Sequence, residues 1–364
     1  MKKIKFLMAI SLIVIAVSCK KNSAPAPVQT IQPLKDTTDL YVLAQGLFGT
    51  NTTTLTAYDF GRNVATTDTF AKANGFKLGD TGSDFIIYGG KIYIVMNSSG
   101  YVAVANALST KFIDSISFQS GGVNRGPENI VSYGGKVFVS STDNSVSVID
   151  TTTLAITNTI TVGSNPAQMI VAGTNLYVSN TGGFAALSSP YLYDSTVSVI
   201  DLTTEMQTSK IVVGVNPGYI AADGAGNIYV ACTGDYNAIS PSLVKVNTGT
   251  NAVTKSVAIA AGVVRYYNNK LYITGGGAVA PSTAVQVINS SDLSVSSTSF
   301  VTDGTVITAP YGLDIDATTG DVYIGDAKDF SAAGTVTCFD NTGKKKFAFS
   351  VTPTANPIKV VLLQ

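Results

Sequence analysis

The chain contains no histidine and no tryptophan, so its chemistry rests on carboxylates, amides, lysines, arginines, tyrosines and phenylalanines. Histidine is the commonest general base and a frequent metal ligand. Without it, a Ser-His-Asp triad, a Cys-His pair and a histidine-bound zinc or iron are excluded from this chain. The residues that remain suit recognition. Phe48, Phe184, Tyr191, Tyr193, Tyr219, Tyr236, Tyr311 and Phe330 offer flat apolar faces for stacking. Asp84, Asn124, Arg125, Glu128, Asn129 and Gln168 offer the hydrogen bonds that orient a bound molecule. No carboxylates pair at a spacing that marks acid–base catalysis, so the expectation is a binding protein with no catalytic residue, no metal and no cofactor.

Each of these residues also has a plainer role open to it. Tyr191 and Tyr193 either meet a ligand or cover their own long loop. Arg125 either reaches a ligand or bridges locally to Glu128. Asp326 and Asp329 lack the glycine and closing glutamate of a calcium loop. Asp150 and Asp201 end repeated strands and read as turn formers. Lys344-Lys345-Lys346 reads as a solvated turn.

The elements that must position these side chains follow from an internal repeat. An aliphatic–aromatic–aliphatic run occurs seven times, centred on Tyr41, Tyr93, Phe138, Tyr177, Tyr229, Tyr272 and Tyr323. The centres lie 39 to 52 residues apart. Glycine or asparagine usually precedes the run, as in Gly134-Gly135 and Gly226-Asn227, which is hairpin chemistry. Upstream stands a proline turn leading into an apolar strand, as at Pro127, Pro166 and Pro217. Downstream comes a third strand, clearest at Ser145–Asp150 and Thr196–Asp201, and then a fourth. Four short strands per unit of about 40 to 50 residues is the period of a β-propeller. An up-and-down sandwich would not need the same proline turn so often.

The fold expected is therefore all-β, a seven-bladed propeller of four-stranded blades. Its first unit lacks a proline strand, and the missing one stands at the far end, in Asn356-Pro357-Ile358-Lys359-Val360-Val361-Leu362-Leu363. That segment should close the ring as the innermost strand of the first blade. Along the innermost strands, Asn129, Gln168, Tyr219 and Lys359 should look into the central funnel, while Ile130, Met169, Ile220 and Val360 face the core. Loop insertions concentrate on one face: around Phe48, at residues 180–195, around Asp235-Tyr236-Asn237, at residues 275–281 and at Asp326 to Phe330. Turns leading into the blades add Asp84, Asn124, Arg125, Glu128 and Tyr311 to the same face. Insertions on one face of a repeat array mark its working side.

Composition agrees. Charged residues make up 13% of the chain, 23 basic against 23 acidic, so no basic footprint for nucleic acid exists. Residues 1–18 read as a signal peptide, with Lys2, Lys3 and Lys5 before an apolar run too short to span a membrane. The run ends in Ala16-Val17-Ser18-Cys19, which resembles a bacterial lipobox with Cys19 as the lipidated residue. Residues 19–37, proline-bearing and polar, read as a tether, and residues 38–364 as the propeller. Cys232 and Cys338 fall on different blades and read as small buried core residues.

The runs Leu176-Tyr177-Val178-Ser179-Asn180, Ser195 to Asp201 and Gly214-Val215-Asn216-Pro217 resemble the YVTN repeat of the YncE-like propellers. With the lipobox and tether, the arrangement is similar to BtuG-type lipoprotein propellers of Bacteroidetes, which capture cobalamin at the cell surface for an outer-membrane transporter. The resemblance implies a monomeric lipoprotein at the outer membrane, on the cell surface or the periplasmic face, held there by its lipid alone. It implies a small-molecule ligand, a corrinoid or another nutrient, and an outer-membrane transporter as partner. A protein-interaction or surface-layer scaffold is the alternative, and a lactonase or lyase a more distant one.

Overall fold

Side chains alternate across a strand, and the recurring triplet uses both directions. Ile92 and Ile94 pack against Tyr41, Leu43 and Phe85, while Tyr93 between them joins Ile130, Val137 and Val139. The same split recurs at Leu176 and Val178 against Tyr177, and at Val322 and Ile324 against Tyr323. One triplet thus fills the two interfaces on either side of its own blade. Seven hydrophobic clusters result, each lying between neighbouring blades.

These clusters belong to a computed structural model that describes residues 39–183, 192–275, 284–352 and 356–363. The expected leader and tether, residues 1–37, lie outside the described residues. The chain forms seven four-stranded antiparallel sheets arranged as a propeller. In the second to seventh blades the strands follow sequence order, and the innermost strands are Gly82–Tyr88, Pro127–Tyr133, Pro166–Ala172, Pro217–Ala222, Val264–Tyr267 and Pro310–Ile315. The first blade is composite, as its missing proline strand requires. Pro357–Leu362 pairs with Asp39–Ala44, with Val360 opposite Val42 and Lys359 opposite Leu43. The amide of Gln45 donates to the Asn356 carbonyl at 2.9 Å and extends the seam.

Three tyrosines at the triplet centres add a second function to their bulk. Tyr41 donates to the Ala107 carbonyl at 2.8 Å, Tyr177 to Thr248 at 3.2 Å and Tyr229 to Ser290 at 3.2 Å. Each hydroxyl reaches the turn before the outer strand of the next blade. A buried tyrosine hydroxyl usually finds a partner, and in these three the partner ties adjacent blades together.

Two details depart from the repeat, a short helix and a two-stranded sheet of Gln119–Ser120 with Val123–Asn124. The helix, Thr69–Asn74, sits between the first and second blades and buries Phe70. Cys232 and Cys338 are both buried and unlinked, in accord with their reading as core residues.

Candidate functional site

On each innermost strand, at the residue just before the one paired with the end of the triplet or two residues beyond it, one polar or charged side chain stands on the face opposite the core residue. These are Asp84, Asn129, Gln168, Tyr219, Arg265, Asp314 and Lys359. The short acceptors and the long side chains do different work. Asp84 Oδ2 accepts the backbone N–H of Ile130 at 3.0 Å, Asn129 Oδ1 that of Met169 at 2.8 Å, and Asp314 Oδ2 that of Val360 at 2.7 Å. In each case the acceptor stands one blade before the amide. A repeated latch therefore joins the second blade to the third, the third to the fourth and the seventh to the first.

The long side chains at the other positions reach the axis. Gln168, Tyr219, Arg265 and Lys359, with Gln45, Ser83, Asp84, Glu128, Tyr311 and Ile358, line one cavity of about 120 Å³. Its charges are largely matched. Lys359 Nζ lies 2.5 Å from Asp84 Oδ1, whose side chain is 3% exposed. Arg265 Nε lies 3.0 Å from Asp314 Oδ1. Asn129 donates to Asp84 and, at 3.1 Å, to Gln168 Oε1, so the network runs through four consecutive blades. Burial raises the Asp314 carboxyl against the opposing pull of Arg265 and Lys359.

Among the described residues Glu128 has no such cation. Its Oε2 accepts from the Asn97 amide at 2.8 Å. Burial and the nearby Asp84 charge push its pKa up to about 7, against the lowering effect of that amide. The Ser83 hydroxyl is buried without a partner among the described residues. The mouth thus presents one carboxylate whose charge nothing cancels.

The loops that join second to third strands lie on the same face as the mouth and carry an exposed aromatic rim. Phe48 is 82% exposed in the loop between the second and third strands of the first blade. Tyr236 and Phe330, 51% and 47% exposed, hold equivalent loops in the fifth and seventh blades. Both have left-handed backbones, φ 60° and φ 62°, a conformation that bulky side chains seldom adopt. The preceding aspartates hold them there. Asp235 Oδ1 accepts from Asn237 and Ile239, and Asp329 Oδ1 from Ser331 and Ala332. Those backbone bonds lower both carboxyl pKa values. Phe330 meets Tyr311 edge-on at 5.5 Å, and Tyr193 lies 6.1 Å from Tyr236. Tyr311 donates across the closing seam to Gln45 Oε1 at 2.9 Å.

The candidates named from sequence therefore separate into groups. Asp84, Glu128, Gln168, Tyr219 and Tyr311 line the funnel, with Asn129 bonded behind them, and Phe48, Tyr193, Tyr236 and Phe330 stand in the loops of the same face. Phe184 and Tyr191 lie outside the described residues. Asn124 is a brace, donating to the carbonyls of Asn97 and Ser98. The local bridge from Arg125 to Glu128 does not form. Arg125 instead pairs with Asp143 at 2.7 Å, bonds Ser145 Oγ at 2.8 Å and covers the Phe118 ring, because its chain turns outward ahead of the proline strand. Asp326 accepts backbone N–H groups from Thr308, Ala309 and Lys328. Asp150 and Asp201 are turn formers, each accepting the next threonine amides. Lys346 is not simply solvated, since it pairs with Asp321 at 2.5 Å.

Sequence reasoning missed Arg265, Asp314, Gln45 and Ser83. In the sixth and seventh blades the register that carries Asp84 and Asn129 falls on Val263 and Gly312, since Val264 pairs with Ile273 and Leu313 with Ile324, and the polar residue stands two further along the strand, at Arg265 and Asp314. Counting back from Tyr272 by the distance that separates Phe138 from Asn129 lands on Val263, so the repeat carried no signal for Arg265.

The sequence model of a family described as a domain of unknown function, DUF5074, matches residues 38–353, and the chain belongs to that family. No curated protein matches the sequence. Among solved structures, the chain is similar to a quinonprotein alcohol dehydrogenase-like protein from Bacteroides thetaiotaomicron, at 16% identity and a TM-score of 0.64, over 90% of this chain and 78% of that one. It is also similar to hydrazine synthase of Kuenenia stuttgartiensis, at 17% identity and TM-score 0.57, over 71% and 76% of the two chains. BamB from Moraxella catarrhalis aligns at 14% identity and TM-score 0.51, over 75% and 76%. At these identities the likeness is one of fold.

Proposed function

We propose that this DUF5074 chain is a non-enzymatic binding lipoprotein of the outer membrane, anchored through Cys19, that holds a small or medium ligand on its loop-rich face. The observation that carries the reading is the division of labour around the axis. Asp84, Asn129 and Asp314 latch the blades, while Glu128, Gln168 and Tyr219 face a cavity. The cavity is smaller than the ~300–1,000 Å³ of ordinary ligand pockets. It therefore takes a polar tip, and the body of the ligand rests on the exposed aromatic rim. A corrinoid, as the BtuG-like architecture implies, would lie across Phe48, Tyr236 and Phe330 with one side group in the funnel. A glycan or another nutrient would use the same division.

The test is a thermal-shift panel of cobalamin, glycans and metabolites on the purified protein. A ligand should raise the melting temperature, and Tyr219→Ala together with Tyr236→Ala should abolish the rise. A full shift in that double variant would place the site elsewhere. A second reading draws on the apolar exposure of Phe48, Leu192 and Val306, which suits a protein partner such as an outer-membrane transporter. Silence across the panel with retention of a transporter on immobilised protein would favour it.

A further inference from the structure

The mouth of the funnel holds two cations and three carboxylates within one connected set. Lys359 is matched by Asp84 and Arg265 by Asp314, each at bonding distance. Arg265 also donates from its Nη1 to the Val264 carbonyl at 3.1 Å. Each cation already faces a carboxylate, which offsets much of the positive charge that an anionic ligand would meet. Glu128 presents the opposite case. Among the described residues its one hydrogen-bond donor is the uncharged Asn97 amide, which also serves the Pro127 carbonyl at 3.0 Å.

The surroundings of Glu128 point the same way. From the second blade comes Asp84, a like charge. The rings of Tyr219 and Tyr311 line the same cavity, and Phe330 stands edge-on to Tyr311 at its mouth. Arg265 and Lys359 complete the wall, both already paired. A carboxylate beside aromatic faces is the setting in which an alkylammonium gains both ion pairing and cation–π attraction.

Resting on the proposal that the funnel is the binding site, the geometry points to a ligand that carries a protonated amine, inserted so that its ammonium donates to Glu128 while its apolar body lies on the aromatic rim. Neutral Gln168, Tyr219 and Ser83 line the same cavity and offer oxygen acceptors for the other N–H groups of the ammonium. The proton that Glu128 holds near pH 7 and the ammonium compete for one carboxylate. Occupancy should therefore strengthen as pH rises through that value, up to the point where the amine itself loses its proton.

The experiment uses three probes of one shape on the purified full chain, followed by ligand-observed NMR titration: benzylamine, benzyl alcohol and benzoate. At pH 8 benzylamine should bind roughly tenfold more tightly than benzyl alcohol, and benzoate more weakly than either. The preference should shrink at pH 6, disappear in Glu128→Gln and persist in part in Glu128→Asp. Equal affinities, a preference for benzoate, an undiminished preference in Glu128→Gln, or no binding of any probe would each overturn the amine assignment. The broader reading fails separately. A panel ligand whose binding is lost in Tyr219→Ala but unchanged in Glu128→Gln would keep the funnel and discard the amine.

Discussion

Asp314 Oδ2 accepts the backbone N–H of Val360 at 2.7 Å while its Oδ1 receives Arg265 Nε at 3.0 Å. One carboxylate thus binds the sixth, seventh and first blades, and it does so at the seam where the two ends of the propeller meet. Aspartate suits this position because it is short enough to stay behind the wall and has two acceptors to divide. Replacing Asp314 with Ala should cost about 3–5 kcal/mol, since it leaves both a buried guanidinium and a buried amide without partners. Urea unfolding measures that loss. A cost below about 1 kcal/mol would mean that solvent already reaches the pair.

The same seam makes the chain's last residues essential to the ring. Strand Pro357–Leu362 supplies the innermost strand of the first blade, and Val360 is buried between the first and seventh blades. Removing residues 356–364 exposes the edge of Asp39–Ala44 and empties the axial position of Lys359. The truncated chain should lose cooperative unfolding or melt far below the full chain. Circular dichroism against temperature decides this, and coincident melting curves would refute it.

Glu128 should make stability depend on pH in a direction unusual for a carboxylate. Its folded pKa of about 7 stands above the ordinary 4.5, so between those values the folded state holds a proton that the unfolded state has released. The slope of unfolding free energy with pH is then negative. The stabilisation is full below pH 4.5 and declines as pH rises toward 7, by at most about 3 kcal/mol. Glu128→Gln should flatten this part of the profile. Denaturant midpoints from pH 5 to pH 8 provide the check, and an identical profile in the variant would show that another group titrates.

How much of this was legible beforehand depended on which force set each residue. The triplets around Tyr93 or Tyr177 were readable because both faces of the strand are buried, and burial on two faces leaves a strong hydrophobic imprint. The closing strand was readable because Asn356-Pro357 repeats a turn whose first copy is missing. Asn129, Gln168, Tyr219 and Lys359 were placed on the axis by alternation alone. Asp314 escaped because glycine holds the equivalent register at Gly312, where a side chain would meet the backbone of Pro357 and Ile358, and the polar residue stands at the next position on that face. The partner of Arg125 escaped for a different reason. Asp143 lies in the next hairpin of the same blade, and only strand pairing brings the two within 2.7 Å.

The hydroxyls of the triplet tyrosines separate packing from bonding. Tyr177→Phe keeps the ring but removes the bond to the Thr248 carbonyl in the next blade, at a cost of about 1 kcal/mol. Tyr177→Ala removes a fully buried ring and should cost about 3–5 kcal/mol. Chemical denaturation of both variants gives the ratio. A Phe variant as unstable as the Ala variant would mean that the hydroxyl, not the ring, holds the blades in place.

Tyr236 and Phe330 pose the last question, because each occupies a backbone conformation that suits glycine or asparagine better than an aromatic ring. Their φ values of 60° and 62° carry a strain of about 1 kcal/mol or more apiece, and half of each side chain is exposed, so burial gives little in return. Tyr236→Gly should therefore leave the fold unharmed or raise its stability by a few tenths to about 1 kcal/mol. The same change should weaken whatever ligand rests on the rim, since a stacked ring contributes on the order of 1 kcal/mol. Opposite signs in the melting temperature and in the affinity would identify the strained aromatics as retained for binding. Loss of stability on mutation to glycine would instead make the ring a structural cover for its own loop, joined to Tyr193 at 6.1 Å.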